Sequence, residues 1–235
     1  MTQYPSLGCC DIVKAFGTQR VLDGMTLTVR AGRVYALLGR NGAGKSTTIK
    51  IMLGLLDADA GERFLLGRPF ERGALASVGA TIDGPALYGH LSARENLHVH
   101  ALLMGVTMAR VDEVLSTVGL AGVGRKRSRS FSTGMKARLA LAIALLTDPS
   151  VLVLDEPQNG LDPEGIIELR TLIRALAAAG RSVLISSHQL GEVAQLADDI
   201  GVLSEGRLVY EGALADFSSG DLEEAYLAAT TGPAR

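Results

Sequence analysis

Cysteine is nearly absent from this 235-residue chain, which carries only Cys9 and Cys10. Adjacent Cα atoms lie about 3.8 Å apart, short of the roughly 4.4–6.8 Å that a disulfide spans, so these two do not bridge each other. No disulfide framework is expected, which fits a reducing compartment. Long apolar runs are missing as well. The longest, Leu139–Leu146, falls far below the roughly 18 residues that mark a membrane span. Met1–Ser6 has no basic segment leading into an apolar stretch, so no secretory signal is expected. Nor does charge of either sign dominate. A net charge of −2 gives no global pull toward nucleic acid or anionic lipid. The basic run Arg125-Lys126-Arg127-Ser128-Arg129 has no interleaved aromatics and reads as a solvated loop. What is present is 47% hydrophobic residues, enough for a sizeable core in one large domain or two small ones. These features predict a soluble cytoplasmic protein.

The most informative stretch is Gly39-Arg40-Asn41-Gly42-Ala43-Gly44-Lys45-Ser46-Thr47, which fits the phosphate-loop pattern GxxxxGK(S/T). Val34–Leu38 before it reads as a buried strand, and Ile49, Met52 and Leu53 after it recur at helical spacing. A strand, a glycine-rich loop and a helix N-terminus in that order aim unpaired backbone N–H groups and a positive dipole end at a polyanion. The glycines let the backbone wrap phosphates that a side chain would obstruct. Lys45 is placed to reach the outer phosphates, and the Ser46 hydroxyl to ligate Mg²⁺. The pattern predicts that the chain binds a nucleoside triphosphate.

Short strands are predicted at Leu7–Val13, Leu27–Val29, Val34–Leu38 and Arg63–Leu66. From Ser92 to Leu146 the pattern turns helical, with Ser92 and Glu95 spaced as a capping box. Alternation of strand and helix resumes at Val151–Leu154, followed by a helix over Glu164–Ala179 stopped by Gly180, a strand over Ser182–Ser186 and a helix over Gln189–Leu196. Ile200–Leu203 and Leu208–Tyr210 pair as a hairpin around Glu205-Gly206. Leu222, Ala225, Tyr226 and Ala229 share one face of a C-terminal docking helix. The simplest architecture is an α/β nucleotide-binding core with an inserted helical lobe.

Val151-Leu152-Val153-Leu154-Asp155-Glu156 is an apolar strand ending in two carboxylates. Open α/β sheets bind ligands at the carboxyl ends of their strands. Asp155 is placed to hold Mg²⁺, and Glu156 to orient and deprotonate an attacking water.

With both motifs in view the chain resembles an ATP-binding-cassette (ABC) transporter ATPase over nearly its whole length. Phe131-Ser132-Thr133-Gly134-Met135 occupies the place of that family's signature motif, Glu156–Asp162 that of its D-loop, and His188 that of its switch histidine. Phe16 matches the aromatic that stacks on adenine. Singly these residues are commonplace; their order and spacing carry the likeness. The resemblance implies a P-loop NTPase fold: a mixed sheet with flanking helices, an N-terminal antiparallel β subdomain and an inserted α-helical subdomain. It implies one cassette over 1–235, with core 1–83 and 147–220, helical subdomain 84–146, and C-terminal helix and tail 221–235. It implies that ATP is held by residues 39–47 of one protomer and by Ser132 and Gly134 of a second, with Lys45, Glu156 and His188 around the γ-phosphate.

The sequence departs from the family pattern in several places. Asp83 stands where a Mg²⁺-coordinating glutamine is usual; an acidic residue there resembles the antibiotic, bacitracin and lantibiotic exporter branch, and its shorter side chain calls for a water to complete its reach. Thr133, Met135 and Gln158 also replace more usual residues, and Gln158 has no explanation from sequence. The resemblance implies the energising subunit of an exporter. It would pair with a second nucleotide-binding subunit and a separate permease on the inner face of the cell membrane, with no nucleic acid as partner. Two rivals are a soluble ATP switch acting on ribosomes or DNA, and a non-hydrolysing regulatory module. The first usually carries two cassettes or a coiled-coil insertion, and the second is at odds with Lys45, Asp155, Glu156 and His188 together.

Overall fold

A computed structural model describes residues 6–84, 86–218 and 221–231. Met1–Pro5, Pro85 and residues 219–220 and 232–235 lie outside them, so the expectations for the leader, for Pro85 of the stretch around Asp83 and for the tail end there.

Two sheets carry the fold. The larger has the strand order β10-β9-β3-β8-β7-β6, built from β3 (Val34–Leu38), β6 (Val78–Thr81), β7 (Val151–Asp155), β8 (Ser182–Ser187), β9 (Asp199–Ser204) and β10 (Arg207–Ala213). All neighbours run parallel except the edge pair β9–β10. That pair is the expected hairpin, and its turn residues Glu205 and Gly206 both have positive φ, 48° and 78°, as a tight two-residue hairpin loop requires. The smaller, antiparallel sheet has the order β2-β1-β4-β5, from β1 (Leu7–Phe16), β2 (Gln19–Val29), β4 (Ala60–Leu65) and β5 (Arg68–Pro69).

The central strands are apolar on both faces because both faces are covered. One face of the large sheet, with Ala36, Leu152, Leu154, Val183 and Ile185, packs under most of the helices. The other, with Tyr35, Leu37, Val151, Val153 and Leu184, packs against α1 (Lys45–Met52) and the antiparallel sheet. Each fully buried Leu or Val contributes about 1.5–3 kcal/mol relative to exposure. At the base of β3, Arg33 grips Asp199 with two bonds of 2.5 and 2.8 Å, and Asp198 accepts from Val34 N at 2.9 Å.

Strands β1 and β2 are longer than the sequence predicts. Their register shifts between Cys9 and Val13, so the buried side chains Leu22 and Met25 of β2 fall three residues apart and break the period-two signal. Strand β4 also begins earlier than predicted: Ala60–Glu62 are exposed and show no apolar pattern, yet they pair with β1. Cys9 is buried, which pushes its thiol up to about 12, and both cysteines are free.

Helices α2 (Ala93–Met104), α3 (Met108–Thr117) and α4 (Thr133–Leu145) lie between β6 and β7 in the chain. The capping box forms as predicted. Glu95 N donates to Ser92 Oγ at 3.3 Å, and Ser92 N donates to Glu95 Oε2 at 2.7 Å, a cap that contributes about 1 kcal/mol. These bonds, the one from Ser92 N foremost, hold the Glu95 carboxyl below its ordinary range. Past β7 come α5 (Pro163–Ala178), α6 (Leu190–Leu196), α7 (Leu214–Phe217) and α8 (Leu222–Thr231). The last packs against α6, β9 and β10, with Tyr226 against the core, as a docking helix should.

The helical segment meets the sheet most closely at Gly79. A Cβ built on Gly79 would lie 2.1 Å from the carbonyl oxygen of Ala144 and 2.8 Å from its carbon, so α4 and β6 touch backbone to backbone. Gly79→Ala must force them apart, and overpacking of this kind costs about 3 kcal/mol. Urea denaturation of Gly79→Ala is expected to show a clearly lower midpoint; an unchanged midpoint would contradict this close packing.

Candidate ATP site

Strands β3, β8 and β7 are adjacent and parallel, so their carboxyl ends open at one edge of the sheet. In that register Leu38 lies beside Ser187, and Ser186 beside Asp155. The loop after β3 is the predicted phosphate loop. It delivers its chain to α1 through Gly44, the N-cap, at φ 109°. A side chain there would be strained, and its Cβ would come within 2.9 Å of Leu22 Cδ2 from β2. The loop is closed by Ala43 N donating to Arg40 O at 3.1 Å and Thr48 N to Gly44 O at 2.8 Å. Lys45 folds back along it, only 6% exposed. Its Nζ donates to Gly39 O at 2.8 Å and Arg40 O at 3.3 Å, and pairs with Glu156 Oε1 at 3.2 Å.

Glu156 follows β7 in a left-handed conformation, φ 48°, an arrangement that non-glycine residues keep only where the surroundings enforce it. Three contacts do so. Its N–H donates to Ser186 Oγ at 2.9 Å, one carboxylate oxygen meets Lys45, and the other lies 2.9 Å from His188 Nδ1. Ser186, fully buried, also donates its hydroxyl proton to Asp155 Oδ1 at 2.5 Å. The neighbouring Ser187 donates to Gln158 Oε1 at 3.4 Å and accepts from Gln189 N at 3.0 Å. Gln158, unexplained from sequence, is therefore a buried anchor for the loop after β7.

A cleft of about 280 Å³ joins these groups, and Lys45, Ser46, Thr47, Glu156, Asn159 and His188 all line it. Asn41, Gly42, Gly44 and Val21 complete its wall. A larger cavity, about 390 Å³, lies on the far side of Glu156 between the end of β7 and the first turns of α4, and Asp83 and Asp155 both line it. Asp83, at φ 56°, pairs with Lys50 of α1 at 2.8 Å.

The predicted set is thus brought together in part. Lys45, Ser46, Thr47, Glu156 and His188 share one cleft. Arg40 is exposed on the loop, while Gly39 and Ala43 form its inner wall. Ser132 and Gly134 do not line that cleft. Ser132 Oγ accepts from Met135 N at 3.2 Å and caps α4, and Gly134 lies in its first turn. Phe16 ends β1 and is 51% exposed, and the Lys14 ammonium lies 5.6 Å from its ring centroid. Two residues of the site went unread in the sequence, Val21 from the adjacent hairpin and Ser186, while Asn159, placed only within the D-loop stretch, lines both cavities. Only the position of Ser186 beside the switch histidine hinted at it.

For Mg²⁺ the donor chemistry fits. The Ser46 hydroxyl in the phosphate-loop cleft and the Asp155 carboxylate in the neighbouring cavity, which shares Glu156 and Asn159 with it, are both hard oxygen donors. Among the described residues no group of three or more His, Cys, Asp or Glu forms a metal cage. That suits an ion bound by one or two protein oxygens together with phosphates and waters.

Comparison with known proteins agrees with the geometry. The sequence profile of the family described as "ABC transporter" matches residues 22–159, more than half of the chain. The lantibiotic transport ATP-binding protein SrtF of Streptococcus pyogenes is 42% identical over 201 residues, covering 86% of this chain and 88% of SrtF. The bacitracin transport ATP-binding protein BcrA of Bacillus licheniformis is 43% identical over 206 residues, covering 86% of this chain and 67% of BcrA. A solved ATP-binding subunit of an ABC transporter superposes with a TM-score of 0.83 at 30% identity, covering 95% and 98% of the two chains. A phosphate loop, a carboxylate pair and a histidine at one sheet edge, carried on a cassette of this fold, make the chain a member of the ABC transporter family and an ATP-binding, ATP-hydrolysing subunit.

Proposed function

We propose that this chain energises an exporter of antibiotic- or peptide-like compounds, closing with a second nucleotide-binding subunit on two ATP molecules and driving a separate permease from the inner face of the membrane. The cluster of Lys45, Glu156 and His188 at the ends of three parallel strands is the observation that carries the catalytic part. No helix among the described residues is long and apolar enough to cross a membrane, and in this reading a separate permease supplies the path. The cargo class is taken by likeness to SrtF and BcrA, which are named for lantibiotic and bacitracin transport.

In this mechanism the amides of the phosphate loop and Lys45 cradle the phosphates, Lys45 exchanging the carbonyl oxygens of Gly39 and Arg40 for phosphate oxygens. Glu156 orients the attacking water and takes its proton, and His188 steadies the carboxylate. Phosphoryl transfer asks for little covalent work from the protein, so catalysis is positioning and charge stabilisation. Ser46 and Asp155 would hold Mg²⁺, which neutralises charge on the phosphates. Asp83 is a further donor once its pair with Lys50 opens. Ser132 and Gly134, standing apart from the cleft of their own chain, are assigned to ATP held by the second subunit, and Phe16 to adenine.

Lys45→Ala is expected to weaken ATP binding by at least about tenfold through loss of a charge-assisted contact; equal affinity by calorimetry would remove Lys45 from the phosphate site. Glu156→Gln should bind ATP normally while phosphate release falls by about 10²- to 10⁴-fold, the range of a lost general base. Near-normal turnover in that variant would dismiss Glu156 as the base. Tagged Glu156→Gln protein, captured with ATP from solubilised membranes of its own cell, is expected to bring down a multi-span membrane protein in stoichiometric amount. Recovery of ribosomes or nucleic acid instead would point to a soluble switch and end the exporter reading.

A further inference from the structure

We infer that Ser186 is a positioning residue for ATP hydrolysis: through one hydroxyl it fixes the Asp155 carboxylate and the backbone of Glu156 relative to each other. A hydroxyl has one proton to give and two lone pairs to receive with. Here the donor and acceptor sides are both used, and each partner dictates the direction. The Glu156 N–H has only a proton to offer, so Ser186 Oγ accepts it at 2.9 Å. Its own proton is then free for Asp155 Oδ1, at 2.5 Å, a length in the range of about 2.5–2.7 Å for a hydroxyl bound to a charged carboxylate.

The sheet itself makes the contact. Asp155 and Ser186 are register partners in the parallel pair β7–β8, so the serine side chain is delivered without adjustable loop geometry. Ser186 is fully buried, and in a low-dielectric setting such bonds direct strongly while an unmet N–H is costly. The choice of residue also matters electrostatically. A cation at position 186 would orient Asp155 but cancel the charge that attracts a metal. A hydroxyl orients one carboxylate oxygen and leaves the full negative charge for the cation.

Glu156 gains as well. Its left-handed φ of 48° points the N–H at Ser186 and the side chain toward Lys45 and His188. Without the serine oxygen, that strained backbone loses the bond that rewards it, and the carboxylate loses its aim. Ser187, one residue on, braces Gln158 and Gln189 instead, so the two serines are not interchangeable.

This inference rests on the proposed roles of Asp155 and Glu156, and its test separates the two. Phosphate release by purified Ser186→Ala, Ser186→Thr and Glu156→Gln chains would be measured against ATP and against Mg²⁺, with ATP binding and thermal midpoint recorded for each. Ser186→Ala is expected to lose about 10- to 100-fold in kcat and roughly tenfold in apparent Mg²⁺ affinity, the usual range for groups that orient a metal ligand. Its KM for ATP should stay within about threefold, because the phosphate loop that dominates ATP binding is untouched. Ser186→Thr, which keeps the hydroxyl, should recover most of the turnover. Should either variant fold poorly, Ser186→Cys, close in size but a weak donor, takes its place and should show the same loss as Ser186→Ala. If Glu156→Gln is inactive while Ser186→Ala keeps kcat within twofold and an unchanged Mg²⁺ dependence, the inference is overturned. An active Glu156→Gln would instead remove the assignment on which it stands.

Discussion

Parallel pairing in register of β7 with β8 and β8 with β3 brings three loops, far apart in sequence, to one edge of the sheet. Everything chemical in the molecule depends on that pairing. The phosphate loop follows β3, the carboxylates end β7, and the paired serines and histidine end β8. A shift of one residue would turn each side chain to the opposite face of the sheet. Burial of both sheet faces, one under helices and one under the antiparallel sheet, is what prevents such a shift.

Within this frame the electrostatics are tightly matched. Lys45 is nearly buried, yet each of its contacts is an oxygen: two carbonyls of its own loop and one Glu156 carboxylate oxygen. Glu156 is in turn shared between Lys45 and His188. Charges kept from water are stable only when paired and hydrogen-bonded, and here the pairing groups are those proposed to act on ATP. The arrangement therefore keeps the site intact while leaving its members ready to change partners.

Legibility in the sequence followed the range of each signal. The phosphate loop and the strand ending in Asp155 and Glu156 are written in contiguous residues, and both stand where the pattern placed them. The Ser92–Glu95 capping box is equally local. By contrast, the sequence pattern predicts β2 only at Leu27–Val29, because a bulge at Gly24 interrupts the alternation on which strand reading rests. The brace of Ser186 was invisible for a different reason. A serine at the end of a buried strand looks like any other until its register partner is known, and register is a tertiary fact. Gln158 was opaque for the same cause. Ser132, Gly134 and Phe16 were legible by likeness to the family alone, and none of them lines the phosphate-loop cleft.

The bare contact between Gly79 and the Ala144 carbonyl has a mechanical meaning. Most joints between a helix and a sheet are cushioned by side chains that can change rotamer and absorb a displacement. At this one there is nothing to compress, because main chain meets main chain. β6 is the neighbour of β7, so a push on α4 passes through Gly79 to the strand that carries Asp155. A displacement of α4 toward β6 is therefore handed on from main chain to main chain, with no rotamer change to absorb it first.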